Sequence, residues 1–227
     1  STNNTEITEK AGDINELSQN ISADMEASEA VVDVLDTTTE KMLEMVSEFR
    51  TGQGKFDQVI EFANDVKEKY ERKLQEISDQ GINVFDSDLK AVPDTVPQKY
   101  TTAYTQAVID QCTAFFDHQK SRLEHTAYVL VVSKQGYLPA HHGEFSKPMT
   151  GDPDTDLIHS RHMRIFYSST AEKRRCTHTQ PMLLQTYMRD TGEIVNDLSM
   201  PIYVSGKHWG ASIIGFDPKV MFNEESV

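Results

Sequence analysis

An unbroken heptad of apolar and small residues runs through the first fifty positions: Ile7, Ala11, Ile14, Ser18, Ile21, Met25, Ser28, Val32, Leu35, Thr39, Met42, Val46 and Phe49. The steps alternate four and three, the period at which helices wind around one another. The stretch holds no proline, and Gly12 is its only glycine. It therefore predicts a long coiled-coil helix over residues 1–54 rather than the surface helix of a globule. A lone helix cannot bury such a seam, so it requires partner helices, from a second chain or from another part of a longer one. A homodimer through the coiled coil is the expectation. Ser, Thr, Ala and Met in the seam allow close approach without tight locking, which suits a bundle that changes state.

Composition agrees with an extended element joined to one ordinary domain. Of 227 residues only 37% are hydrophobic, and the mean hydropathy is −0.53, thin for a wholly globular chain. The formal charge is −14, which argues against nucleic acid as a partner. Acidity is concentrated early: residues 1–50 carry twelve Asp and Glu against Lys10, Lys41 and Arg50, as a solvated elongated segment would. Cys112 and Cys176 have neither metal-knuckle nor redox spacing and read as buried free thiols in a reducing compartment. No apolar run approaches the ~18 residues of a membrane span; the longest is Tyr128–Val132. The polar start at Ser1 reads as a boundary, leaving room for a membrane anchor upstream.

Residues Thr51–Gly54 break the heptad, and Phe56, Val59, Ala63, Val66, Tyr70, Leu74 and Ile77 then mark one face of a second helix. This gives a connecting helix over 55–95, closed by Pro93 and Pro97. A third helix is expected over Gln98–His125 and a short one over Asp156–Ser168. Strands are expected at Tyr128–Ser133, at Tyr137–His141 pairing back after the Lys134–Gly136 turn, and at Leu183–Arg189, Val195–Ser205 and His208–Phe216. The sum is an α+β chain: a long helix, then a domain over 96–220 with a five-stranded antiparallel sheet and helices on one side.

Four blocks in this region resemble methyl-accepting chemotaxis proteins, the bacterial chemoreceptors. They are Gly136–His141 (GYLPAH), Arg161–Phe166 (RHMRIF), Pro181–Gly192 (PMLLQTYMRDTG) and Pro201–Gly210 (PIYVSGKHWG). The resemblance spans Val96 to Phe216, and the heptads from Ile14 to Phe49 are similar to the returning helix of the receptor's signalling hairpin. It implies a Cache/PAS-like sensor domain placed after the hairpin, on the cytoplasmic side even where the receptor is membrane-anchored. It also implies action on a histidine kinase and a coupling protein through a hairpin tip that this chain lacks. The heptad segment holds no adjacent Glu/Gln pair of the kind used for adaptation by methylation. A more distant similarity is to Cache domains that bind amino acids and related small molecules. Arg164–Tyr167 resembles their Arg-x-Trp-Tyr block with Phe166 in place of Trp, and Tyr187 with Asp190 resembles their Tyr-x-x-Asp. The resemblance implies that Arg and aromatic groups hold a carboxylate and the Asp an ammonium; Phe166 removes an indole donor.

The candidate ligand-binding residues are Tyr137, His141, Arg161, Arg164, Phe166, Gln185, Tyr187, Asp190 and Trp209. Arg161 and Arg164, three apart, share one face of a helical turn and suit either a bidentate carboxylate or a salt bridge with Asp156. Alternation puts Gln185, Tyr187 and Arg189 in one row, as a polar pocket wall or a solvated face. Asp190 before Thr191 and Gly192 is a turn residue on its own pattern and a ligand candidate by the resemblance. Trp209, the only tryptophan, either supports the sheet or stacks on a ligand. The basic run Lys173–Arg175 reads as a solvated loop. Eight histidines lack metal-ligand spacing, so no cofactor is expected. No nucleophile elbow, phosphate loop or dinucleotide motif occurs, and the chain reads as no enzyme. The leading reading is a signal-transducing sensor of a small molecule; the alternatives are a structural dimerisation or clustering module and a haem or metal redox sensor.

Overall fold

The computed structural model describes residues 10–12, 14, 15, 17–22, 25, 55–188 and 194–221. The chain divides into two compact units, Ser1–Glu48 and Phe49–Val227. In the first, the described residues are helical and exposed, Ile14, Leu17, Ile21 and Met25 among them. The expected seam positions Ile7 and Ser28 through Phe49 lie outside the described residues.

The second unit is a mixed α+β structure with antiparallel sheets. It opens with α1 (Lys55–Asp79). Its expected apolar face is the buried one: Val59, Ala63, Val66, Tyr70, Leu74 and Ile77 are each at most 2% exposed. Burying such side chains contributes roughly 1.5–3 kcal/mol for each of the larger ones. A short ribbon, β1 (Lys90–Ala91) with β2 (Tyr100–Thr101), leads to α2 (Thr105–Lys120), which packs on α1 through Tyr70, Phe115 and Phe116 in edge-to-face contacts. This helix is shorter than Gln98–His125 because β2 takes its expected first turn and Ser121 closes it.

The main sheet has four strands in the order β3-β8-β7-β6: β3 (Thr126–Ser133), β6 (Leu183–Met188), β7 (Ile194–Val204) and β8 (Lys207–Phe216). Ser205 and Gly206 join β7 to β8 with positive φ at both, the geometry whose twist matches a two-residue hairpin. The expected fifth strand is not part of this sheet. Residues 137–138 form β4 (Tyr137–Leu138), which pairs instead with β5 (Arg164–Ile165). The reason lies at Gly136. Its φ is +72°, and the Phe166 carbonyl and Tyr167 ring pass so close that no Cβ would fit. The Phe166 N–H then donates to the Gly136 carbonyl, and the Met163 N–H to that of Leu138, each at 2.8 Å. The chain from 163 to 166 thus occupies the edge that Tyr128–Ser133 was expected to fill.

The expected helix Asp156–Ser168 is also corrected. Helix α3 covers Pro153–His159 and stops because the following backbone pairs elsewhere: Arg161 N–H donates to the Phe145 carbonyl, and the Ser160 hydroxyl to that of Lys147. Met163 has φ +62°, and the chain enters β5. Arg161 and Arg164 therefore do not share a helical turn.

Helices do not keep to one side of the sheet. Helices α1 and α2 pack on one face, where Tyr70 donates to the Val129 carbonyl at 2.9 Å. The last helix, α4 (Thr170–Thr177), lies on the opposite face with Tyr128, Leu130 and Val132. Both faces being covered explains why β3 reads as a continuous apolar run rather than an alternation. Helix α4 begins at a capping box: Glu172 N–H donates to the Ser169 hydroxyl, and Ser169 N–H returns to the Glu172 carboxylate. The expected loop Lys173–Arg175 is therefore helical, and Arg175 is buried at 6% exposure.

Candidate functional site

A cavity of about 410 Å³ lies between the sheet and α4. Its floor is the face of β3 that carries Tyr128, Leu130 and Val132, with Gln185 of β6 and Ile213 of β8. The remaining walls come from Leu138 and His141, from the β5 segment Arg161–Phe166, and from Ser168, Ser169, Ala171, Glu172 and Arg175 at and within α4. Its volume is that of a small-molecule site.

Five expected residues meet here: His141, Arg161, Arg164, Phe166 and Gln185. The β4–β5 ribbon carries Arg164 and Phe166 together. Both guanidinium groups lie over the Phe166 ring, that of Arg161 at 5.4 Å and that of Arg164 at 5.1 Å from its centre. Both also donate to the Leu157 carbonyl, at 3.4 and 3.1 Å. That carbonyl belongs to the last turn of α3, where helical carbonyls lack intrahelical partners and attract cations. Helix α3 thus holds two cations at one wall of the cavity. Asp156, the alternative partner for Arg161, is engaged in its own loop: it accepts from Thr150 N–H at 2.8 Å, the Thr150 hydroxyl at 2.9 Å and Gly151 N–H at 3.0 Å. Those bonds, that of Thr150 first, hold its carboxyl below the usual range.

His141 presents its ring to the cavity, and its Nδ1 accepts the His142 N–H at 2.8 Å. His142 is fully buried behind it. Its Nε2 accepts the Val129 N–H at 3.1 Å, so its proton sits on Nδ1 and is donated to Asp117 at 3.0 Å. Burial pushes its pKa down.

Tyr137 and Trp209 lie outside this cavity. The Tyr137 hydroxyl donates to the Tyr100 carbonyl and meets the Thr105 hydroxyl, both at 2.8 Å. Trp209 donates to the Val84 carbonyl at 2.8 Å, packs on Tyr104 and lines a smaller cleft of about 240 Å³. Tyr187 is placed by its backbone in β6 opposite Val195. Asp190 and Arg189 lie outside the described residues.

Four contributors were not among the candidate ligand-binding residues: Tyr128, Glu172, Arg175 and Asp197. Tyr128, Gly215, Asp197 and Gln185 are neighbours in register across all four strands. The Tyr128 hydroxyl and, at 3.1 Å, the Arg175 guanidinium both donate to Oδ2 of Asp197, which is fully buried. Oδ1 of that carboxylate has no hydrogen-bond partner. The Ser169-x-x-Glu172 spacing was the available signal for α4, and it points to Arg175 one turn after Glu172.

Burial raises the thiols of Cys112 to about 12 and Cys176 to about 11, so neither is a nucleophile at neutral pH. Among the described residues no three His, Cys, Asp or Glu side chains are grouped to hold a metal ion, and no helix is long and apolar enough to cross a membrane.

The fold and site together define an α+β module with one arginine-walled cavity between sheet and helix. No family model, curated protein or solved structure matches the chain.

Proposed function

We propose that this chain is the C-terminal part of a signal-transducing chemoreceptor, in which a Cache/PAS-like domain binds a small carboxylate. The observation that carries the reading is the meeting of Arg161 and Arg164 on the ring of Phe166 at the wall of a ligand-sized cavity. Two guanidinium groups match a carboxylate by charge and by fork geometry. In this reading Gln185 and His141 supply further polar contacts, and Tyr187 and Asp190 remain ligand candidates by the resemblance. The four-stranded sheet with its separate β4–β5 ribbon is the sensor's core.

The output runs through helices. A ligand shifts a two-state element only by its differential affinity for the two states. The element here is the α1–α2 pair on the far face of the sheet, continued in sequence by the heptads. The exposed Ile14, Ile21 and Met25 support a homodimer through that seam. A histidine kinase and its coupling protein are the partners of a signalling hairpin completed by a longer chain, on the cytoplasmic side.

Thermal-shift titration of the chain against short carboxylates tests the binding half: a binder raises the melting temperature by mass action. A receptor-coupled kinase assay tests the signalling half. Equal kinase activity with and without residues 96–227 overturns it.

A further inference from the structure

Two turns meet at the smaller cleft, and each brings a lysine to it. Lys134 stands in the turn after β3, and Lys207 opens β8 after the Ser205–Gly206 turn. The Lys134 N–H donates to the Trp209 carbonyl at 3.1 Å, which fixes the two turns side by side. Both lysines line the cleft of about 240 Å³, whose apolar walls include Trp209, Tyr104 and Val84, each at most 3% exposed. The Lys207 ammonium leans over the Phe85 ring, 4.4 Å from its centre. Burial lowers the pKa of His208 on the same wall, and the Lys134 ammonium lowers it further, so a neutral ring stands beside that cation at pH 7. Asp86 is the one carboxylate among the lining residues, and it is turned to the backbone: it accepts the Ala103 N–H at 2.7 Å and the Asp88 N–H at 3.0 Å. Asp88 in turn pairs with Lys90 at 3.7 Å. In a chain of formal charge −14, this cleft thus gathers two cations, and among the described residues no carboxylate forms an ion pair with either.

We infer that this cleft is a second binding site, separate from the arginine-walled cavity, in which Lys134 and Lys207 hold a phosphate group. Each ammonium brings a compact charge and three N–H donors, and a phosphate at neutral pH is close to a dianion with three acceptor oxygens. Two point charges therefore match it by charge and by donor number. A carboxylate carries one charge and matches the planar guanidinium fork better. Further donors stand on the same walls. The Gln135 carbonyl accepts the Ser133 hydroxyl at 3.0 Å, which leaves its amide N–H₂ to donate, and Ser87 adds a hydroxyl. The rings of Phe85 and Trp209 give an apolar surface to the carbon skeleton of a phosphate ester.

Trp209 is the only tryptophan, so its indole N–H gives a single NMR signal that reports on this cleft apart from the other cavity. The ring signals of His208 are a second reporter. Inorganic phosphate, glycerol 3-phosphate and acetate are titrated into the full chain at constant ionic strength. Both phosphates are expected to move the reporters saturably, at least about tenfold more tightly than acetate. The tighter of the two shows whether the site takes the free anion or an ester. Lys134→Gln and Lys207→Gln, both at exposed positions that the fold does not depend on, are each expected to weaken phosphate about tenfold. Lys90→Gln, an exposed lysine outside the cleft, is expected to leave the affinity unchanged. Reporters that stay still or drift without saturating overturn the inference, as does acetate equal to phosphate. A loss in Lys90→Gln equal to that in the cleft variants overturns it too, since it shows general attraction of anions and no site.

Discussion

The hydroxyl of Tyr128 reaches Asp197 over the bare backbone of Gly215. The three residues are in register on β3, β8 and β7, and a Cβ at Gly215 would lie inside the Tyr128 ring. The glycine is what lets one strand's phenol meet a carboxylate two strands away. Gly215→Ala is therefore expected to destabilise by about 1–3 kcal/mol through forced displacement of the ring. Tyr128→Leu should relieve that clash. Urea unfolding of both single variants and the double variant checks this: the double should cost less than the sum of the singles. Strict additivity would refute the contact.

Arg161→Ala and Arg164→Ala are each expected to weaken a bound carboxylate at least about tenfold, since each removes a charge-assisted donor worth ~1.5–3 kcal/mol. Trp209→Phe is expected to do the opposite: unchanged affinity and a stability loss of about 1–2 kcal/mol, because the Val84 carbonyl loses its donor while the cavity is untouched. Calorimetric titration paired with thermal unfolding reads both. An affinity loss in Trp209→Phe equal to that in Arg164→Ala would place the tryptophan at the ligand.

His142→Leu should cost about 2–4 kcal/mol. It leaves the Val129 N–H buried without an acceptor and frees Asp117, which also accepts from Gly143 N–H. Asp117→Asn keeps an acceptor for His142 Nδ1–H and should cost much less. Denaturant midpoints of the two variants decide it.

The parts of this fold that were legible are those set by local pattern. The seven-residue apolar face from Phe56 to Ile77 gave α1, and two runs of strand residues around Ser205-Gly206 gave the β7–β8 hairpin. What misled was the step from local to paired structure. Tyr137 and Leu138 do form a strand, but by register Tyr137 pairs with Ile165 and Leu138 with Arg164, and nothing in the alternation names a partner. The spacing of Arg161 and Arg164 fits one helical turn; the cation wall exists instead because both side chains reach the same Leu157 carbonyl from an extended chain. Arg175 and Asp197 were hidden for a different reason. A basic run and an Asn-Asp pair look solvated until burial makes them partners.

Acid should loosen this unit well before its carboxylates protonate. Burial, with the Lys99 ammonium beside it, depresses the pKa of His162 to about 4; burial, with His208 and Arg174 nearby, does the same to His178. In the unfolded chain a histidine titrates near ~6.5. Between these values the unfolded state binds a proton that the folded state refuses, so stability rises with pH across the window and falls on acidification. From pH 7 to pH 5 the loss is about 2 kcal/mol for each histidine. Asp156, lowered by its hydrogen bonds from Thr150, is shifted in the same direction but acts in a lower window: its contribution is present above the ordinary carboxylate range and is lost only below it. Urea unfolding at pH 7, 6 and 5 should show the midpoint dropping steadily. His178→Leu should remove about half of that slope. Lys99→Met should raise the pKa of His162 in an NMR titration, because the ammonium at 3.4 Å from its ring nitrogens is gone. An unfolding midpoint that is the same at pH 5 and pH 7 would mean that neither ring is held neutral by the fold.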